Sequence, residues 1–503
     1  MNQKYKHILY NLITGLSTQV VSVLLAFLIP RLFLVNFGSE IKGLLSTVTQ
    51  IFAYLSLLEA GVGLATVQAL YGPISRDDRN TINAVMAATR YYYRRTGIIY
   101  LVVVLLFAAA FSLLTQVSLP RSTVFLAVLL QGLPSVLSYL IQGKYRLLLE
   151  AEGKSYVLNN LQMGMLFFVN IGKVVILLFS ANILLVQSLS TIGSLLQIGF
   201  LLFYIRKNYR WLDMHHVTPD FEAISQKSSA MVHQISGVIF NNTDVLLISA
   251  FCGFMTSSVY TVYNSFFSQI SNLISSLSGS LLFSLGQLFH YDRAEFDRKY
   301  DLYESCFITV TFIINTAMYL FILPLVKVYT RGIQDTNYLL PLLPALFVAI
   351  SLLANGKLPM NQVIIFAEHF QKTRHHAVIE AAINVVLSVV GVMTLGIYGG
   401  LLATVAALLY RANAVILYAS REILHRSPMV TYKKWLLNLA VFAALVVLLG
   451  RVLPEMNSYA ALFGWGCVFG LVIAAVYLAA LCISQPCIPK TVLRTLRSWR
   501  KKT

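Results

Sequence analysis

Six ionisable side chains stand inside or at the edge of long apolar stretches: Arg31, Glu59, Lys173, Asp244, Lys357 and Arg411. A charge near the middle of a bilayer costs roughly 2.5–3.5 kcal/mol on insertion scales, so one that is kept faces a wet cavity, a partner or a cargo. Arg31, Lys173, Lys357 and Arg411 outnumber Glu59 and Asp244, and that basic excess favours an anionic cargo. A guanidinium or ammonium in a low-dielectric cleft holds a phosphate or pyrophosphate strongly. The two carboxylates could bind a coupling proton or sodium ion, or tune the cations. Asn241 and Asn242 extend the polar patch around Asp244 in an otherwise apolar segment. Lys357 lies in Asn355-Gly356-Lys357-Leu358-Pro359, where Gly and Pro should interrupt a helix and free backbone groups to line a cavity. The alternative is internal pairing that only stabilises the bundle, and for Arg31 a side chain that snorkels to the headgroups.

The elements that must position these residues are membrane helices. Of 503 residues 57% are hydrophobic and 12% charged, with a mean hydropathy of +0.72. Soluble domains carry roughly 25% charged residues, and no soluble core could hide this much apolar surface. At roughly 20 apolar residues per crossing, fourteen spans are expected. The first seven fall near 9–34, 43–70, 97–117, 123–142, 156–179, 183–205 and 229–251. The rest fall near 258–289, 304–329, 339–366, 377–396, 399–420, 435–453 and 459–483. The first run continues past any signal-peptide length without a small-residue cleavage site, so it reads as a first transmembrane helix.

An even number of spans puts both termini on one side. With the amino terminus cytoplasmic, 29 of the 38 Lys and Arg fall in inside segments and 6 in outside ones, with no inversion along the chain. The net charge of +18 is thereby explained by topology, without nucleic acid as a partner. Tyr91-Tyr92-Tyr93-Arg94-Arg95 and the tail with Trp499, Arg500, Lys501 and Lys502 suit the headgroup layer of membrane lipids.

Several chemistries are excluded. Gly153-Lys154-Ser155 resembles the end of a phosphate-binding loop, but Leu148 stands where its first glycine belongs, so no ATPase is expected. The short outside loops offer no acidic pair for an integral glycosyltransferase or ligase; Glu40 is isolated. No catalytic residue, and therefore no enzyme, is expected. The pairs His215-His216 and His375-His376 lack a matching ligand framework, so no metal site is expected. The five cysteines, Cys252, Cys306, Cys467, Cys482 and Cys487, read as small core residues.

The second half restarts the first. An apolar helix ends at Gly38 in one and Gly253 in the other, followed by a short polar link and a Ser- and Gly-rich helix. A six-helix repeat is even, so both copies share one orientation, as in transporters with a cleft between two lobes. The expected domains are an N-lobe at 1–217, a C-lobe at 218–425, and residues 426–503 with helices thirteen and fourteen and a basic tail. In the last helix Gly466-Cys467-Val468-Phe469-Gly470 could pack closely against a neighbour.

Pro30-Arg31-Leu32, Phe37-Gly38-Ser39-Glu40-Ile41-Lys42-Gly43 and Leu58-Glu59-Ala60-Gly61-Val62-Gly63 carry a family likeness, as does Asn242-Thr243-Asp244-Val245-Leu246-Leu247-Ile248-Ser249 with Tyr260 and Tyr263. In these segments the chain resembles the polysaccharide transporter branch of the multidrug/oligosaccharidyl-lipid/polysaccharide (MOP) exporter superfamily, which includes O-antigen and capsule repeat-unit flippases. The resemblance implies an all-α integral membrane fold with two six-helix lobes and two extra helices. It also implies alternating access and export of an undecaprenyl-pyrophosphate-linked oligosaccharide across the bacterial cytoplasmic membrane. No cofactor is implied beyond Na+ or H+ coupling, and polysaccharide assembly machinery is the expected protein partner. The alternatives are a cation-coupled multidrug exporter, a peptidoglycan-precursor flippase, which also has fourteen spans, and a nontransporting scaffold.

Overall fold

The computed structural model describes residues 3–55, 57, 62–214, 216–224 and 229–485, with side chains left aside at 3–21, 64, 229–234, 277–284 and 370. Glu59, His215, Cys487 and the tail with Trp499 to Lys502 lie outside the described residues. Among the described residues helix is the regular structure throughout, and twelve helices are long and apolar enough to cross a membrane. Two of these hold a sharp internal turn, so the crossings number fourteen. Leu114, Phe179 and Ile483 are more than four-fifths exposed, which water would resist and lipid tails accept. This is a multi-pass membrane protein.

The turns lie where the sequence repeats itself. In α1 (Gln3–Leu55) Gly38 has φ 79° and ψ 175°, and in α8 (Ser229–Tyr291) Gly253 has φ 84° and ψ 168°. That region is essentially closed to residues with a Cβ, so each helix ends and a new one begins at a glycine. The chain reverses at Gly38, because Phe33 before it and Ser46 after it line one cavity. The crossing expected at 43–70 is assembled from two pieces, the end of α1 and α2 (Val62–Ser75).

The chain divides into two compact units, Met1–Ser258 and Val259–Thr503. In the first, α3 (Arg79–Leu114) starts at Asp78, whose carboxylate accepts from Thr81 N at 3.2 Å and its hydroxyl at 2.6 Å. It is followed by α4 (Arg121–Leu137), a π-helical turn (Ser138–Gln142), α5 (Gly143–Ala151), α6 (Ser155–Phe179) and α7 (Ile183–Asn208). Pro134 lacks an N–H, which leaves the Leu130 carbonyl free; the Thr191 hydroxyl of α7 donates to it at 3.1 Å. The early part of α8 is tied to α1, with Thr47 Oγ1 2.5 Å from Ser249 Oγ and Tyr54 Oη 2.6 Å from Thr243 Oγ1. The segment after α7 is strapped to α3, where Asp213 N donates to Asn83 Oδ1 and Arg79 lies over the Trp211 ring.

The second unit contains α9 (Arg293–Tyr329), α10 (Leu343–Gly356), α11 (Leu358–Phe366), α12 (Phe370–Leu395), α13 (Ile397–Tyr418), α14 (Met429–Gly450) and α15 (Tyr459–Ser484). α12 and α13 touch backbone to backbone where Gly391 meets Gly399, and a Cβ on either would collide with the other's carbonyl group. The last two helices dock on α9. Glu304 of α9, fully buried, accepts from Arg426, Thr431 and Lys434 at 2.6–2.7 Å, and Asp301 accepts from the same Arg426 and Lys434 at 3.1 and 2.6 Å. The Tyr477 hydroxyl of α15 lies 2.8 Å from Thr316 Oγ1 of α9 and 3.4 Å from the Asn438 carbonyl of α14.

Candidate functional site

A cavity of about 360 Å³ opens in the first unit, walled by both arms of the Gly38 hairpin together with α4, α6 and α7. Its charged walls are Lys42 and Lys173, and its neutral polar walls include Ser46, Gln131, Gln187 and Ser190. Lys42 is on the first turn after Gly38, and Lys173 lies six residues before the end of α6, about 9 Å by helical rise. Both ammonium groups therefore lie in the part of the bundle nearest the Gly38 turn. Lys42 Nζ donates to Ser46 Oγ at 2.9 Å, and Ser46 passes its own hydrogen back to the Lys42 carbonyl at 2.9 Å. Neither lysine forms an ion pair with a described carboxylate. Gln131 clamps the wall, donating to the Leu45 carbonyl at 3.0 Å and Thr49 Oγ1 at 2.6 Å.

Two cations in one small cavity, surrounded by amides and hydroxyls, repel each other and attract a multivalent anion. At low effective dielectric that preference is strong, and a phosphate or pyrophosphate could accept from both ammonium groups and from the Gln and Ser donors at once.

The second unit treats its cations otherwise. Lys357 occupies the break between α10 and α11, as its Gly and Pro neighbours predict. Its Nζ lies 3.1 Å from Glu380 Oε1, and Arg411 Nε lies 3.4 Å from Glu380 Oε2. All three side chains are at most 17% exposed. Arg411 also reaches the Thr373 carbonyl at 3.5 Å. One carboxylate thus serves two cations.

The other predicted residues are placed as follows. Arg31 is half-buried, follows the cavity-lining Pro30 and is itself outside the lining. Asp244 is buried, 4% exposed. Asn241 and Asn242 donate to carbonyls one turn back, Gly237 at 2.7 Å and Val238 at 2.6 Å. Of the expected residues Lys173 lines the cavity, beside Lys42, Gln131 and Gln187, which the sequence reading did not single out for a site. Lys357 and Arg411, both expected, are joined by Glu380, which it did not name.

The fold is shared with solved transporters. The structure is similar to an inward-facing multidrug resistance MATE family transporter of the MOP superfamily, at 14% identity over 82% of this chain and 96% of that one, TM-score 0.63. It is also similar to the lipid II flippase MurJ in an inward closed conformation, at 12% identity over 94% and 99%, TM-score 0.70. A third likeness is to a MOP superfamily transporter from Pyrococcus furiosus with a binding pocket of reversed polarity, at 14% identity over 80% and 93%, TM-score 0.51. No family model and no curated relative matches the sequence. At these identities the likeness is one of fold: the chain has the architecture of MOP superfamily transporters.

Proposed function

We propose that this protein is a flippase that moves a lipid-linked oligosaccharide, carried on an undecaprenyl pyrophosphate, across the bacterial cytoplasmic membrane with both termini cytoplasmic. The observation that carries this reading is the cavity holding Lys42 and Lys173 with no described carboxylate beside them. A site for cationic drugs would need the opposite sign. The wide cover of this chain by the lipid II flippase, 94%, supports the flippase reading over the multidrug one, and a peptidoglycan precursor remains a cargo with the same anionic chemistry.

In this reading Lys173 and Lys42 hold the pyrophosphate, with Arg31 close by in sequence, while the lipid tail stays in the bilayer. Lys357 and Arg411 form a second basic station whose charge Glu380 halves until cargo arrives. Buried Asp244, and Glu59, carry the coupling to Na+ or H+ during alternating access, and the assembly machinery of a surface polysaccharide takes the product.

The test is leaflet-resolved transfer in proteoliposomes, comparing a lipid-pyrophosphate-linked oligosaccharide with a small cationic dye, with and without an ion gradient. Transfer of the lipid-linked sugar alone is expected. Transfer of the dye alone would move the protein to drug export, and transfer of neither would make it a scaffold.

A further inference from the structure

A second cavity, of about 390 Å³, lies in the same unit, and the function proposed above makes no use of it. It follows the lysine cavity along the same helices. Gln131 borders the first and Ser135 the second, one turn apart on α4; Ser190 and Ser194 are related in the same way on α7. The lining runs from Ser135 to Glu150, fifteen residues, or about 22 Å of helix. It is therefore a groove that reaches well into the membrane-spanning depth and not a dimple at its surface.

The composition of this groove differs from that of its neighbour. Gln142, Asn159, Gln162 and Gln197 present carboxamides, and Arg146 and Glu150 contribute one charge of each sign. None of these six side chains has a hydrogen-bond partner among the described residues. Polar groups left open within a membrane-spanning unit serve water or a polar ligand. The groove also contains the π-helical turn, where Gly143 N bonds back to the Ser138 carbonyl and both Ser138 and Gln142 face the cavity. Such turns are frequent at functional sites.

The chemistry selects the ligand. An anion would face the Glu150 carboxylate, and an organic cation would face the Arg146 guanidinium. A neutral polyol meets neither penalty, because each hydroxyl both donates and accepts and each carboxamide offers a donor beside an acceptor. The volume lies within the usual range for small-molecule sites, roughly 300–1,000 Å³.

We propose that this groove binds the sugar portion of the cargo, a neutral and hydroxyl-rich group, while the lysine cavity holds the anionic linkage. The proposal rests on the flippase reading, since it divides one cargo between two cavities. The groove is then what distinguishes a glycan-bearing lipid from a bare lipid pyrophosphate.

The experiment uses two probes, a polyprenyl-pyrophosphate-linked oligosaccharide and the same polyprenyl pyrophosphate without sugar, in proteoliposomes of the full chain. Gln162→Leu/Gln197→Leu should lower transfer of the glycan-bearing probe at least tenfold and leave the bare probe within twofold of wild type. Equal loss on both probes, or loss on neither, overturns the proposal. A second measurement does not depend on transport: a maleimide label at position 159 in Asn159→Cys, read by peptide mass spectrometry, should be slowed by the glycan-bearing probe and not by the bare one. If the wild type moves neither probe but the label is slowed selectively, the groove stands and the flippase reading falls. Transfer of both probes with no selective slowing has the opposite meaning.

Discussion

Lys42 with Lys173 in the first unit and Lys357 with Arg411 in the second are both pairs of cations enclosed by apolar helices. The first pair is surrounded by Gln and Ser side chains, the second by Glu380, whose two oxygens lie 3.1 and 3.4 Å from its partners. A pair that brings its own carboxylate is largely satisfied before any ligand arrives, and contributes first to the fold. A pair that brings only neutral donors leaves its charge for something else to balance. The count of buried cations, which is what a sequence offers, cannot separate the two cases; the position of one carboxylate does.

The contrast is broken most forcefully at Glu380. Glu380→Gln removes the shared negative charge and one of its two acceptor oxygens, and leaves two nearly buried cations against each other, a change expected to cost about 3–5 kcal/mol of stability. The melting temperature of the purified protein should fall, and Glu380→Gln combined with both Lys357→Met and Arg411→Leu should recover most of it, because neutralising every member of a buried ionic cluster is far milder than stripping one. An unchanged melting temperature with a large fall in transport would give the triad the role assigned to the lysine cavity.

Lys42→Ala/Lys173→Ala tests the other half. Transfer of a lipid-pyrophosphate cargo should fall about 100-fold, equivalent to about 2.7 kcal/mol, with melting within a few degrees of wild type. Lys173→Ala alone should have an intermediate effect, since Lys42 keeps its place on Ser46. Full transport by the double variant would remove the anion-binding reading of the cavity.

A smaller effect sharpens the comparison at the level of the backbone. Gly38 and Gly253 have nearly the same dihedral angles, so Gly38→Ala and Gly253→Ala should each destabilise by about 1–3 kcal/mol and by similar amounts. Tolerance at one position alone would mean that only one of the two helices needs its sharp turn.

These glycines also mark what the sequence made legible. A positive φ with extended ψ demands glycine, so the start of each repeat was visible as a residue type, and the fourteen crossings were visible as apolar length. The break at Lys357 was equally readable from Gly356 and Pro359. The pairings were not. Lys42 was assigned to a loop because the second span was drawn from 43, whereas the helix resumes directly after Gly38. Glu380, near the start of the span expected at 377–396, carries no local mark of its role; α12 brings it against residues 23 positions before it and 31 after. Asn241 and Asn242 stand out in the sequence as a polar patch around Asp244; the structure adds that their amide hydrogens return to their own helix. Period and composition fix which stretches cross the membrane; which groups meet inside it depends on the rotation of each helix.

The smallest expected effect lies on the turn that carries one end of the amide-lined groove. Between α5 and α6, Glu152 and Lys154 form an ion pair at 2.8 Å; Lys154 Nζ donates to Tyr209 Oη at 3.0 Å, and the Tyr209 hydroxyl donates to Glu152. The hydrogen bonds to Glu152 and then Tyr209 raise the Lys154 ammonium above its ordinary value of 10.5. A group whose folded value is raised contributes fully below its unfolded value and loses that contribution as pH rises through the folded one. The cluster should therefore be indifferent to pH from about 6 to 9, well under the lysine range, and weaken only in strong alkali. Lys154 is 41% exposed, so solvent screening holds the effect of Lys154→Met to about 0–1 kcal/mol, and Tyr209→Phe to about 0.5–1.5 kcal/mol. Both variants should shift melting by the same amount at pH 6.5 and 8.5. A shift that changed between those values would mean that a different group, titrating near neutrality, holds the turn, and the charge balance assigned to the groove beside it would have to include that group.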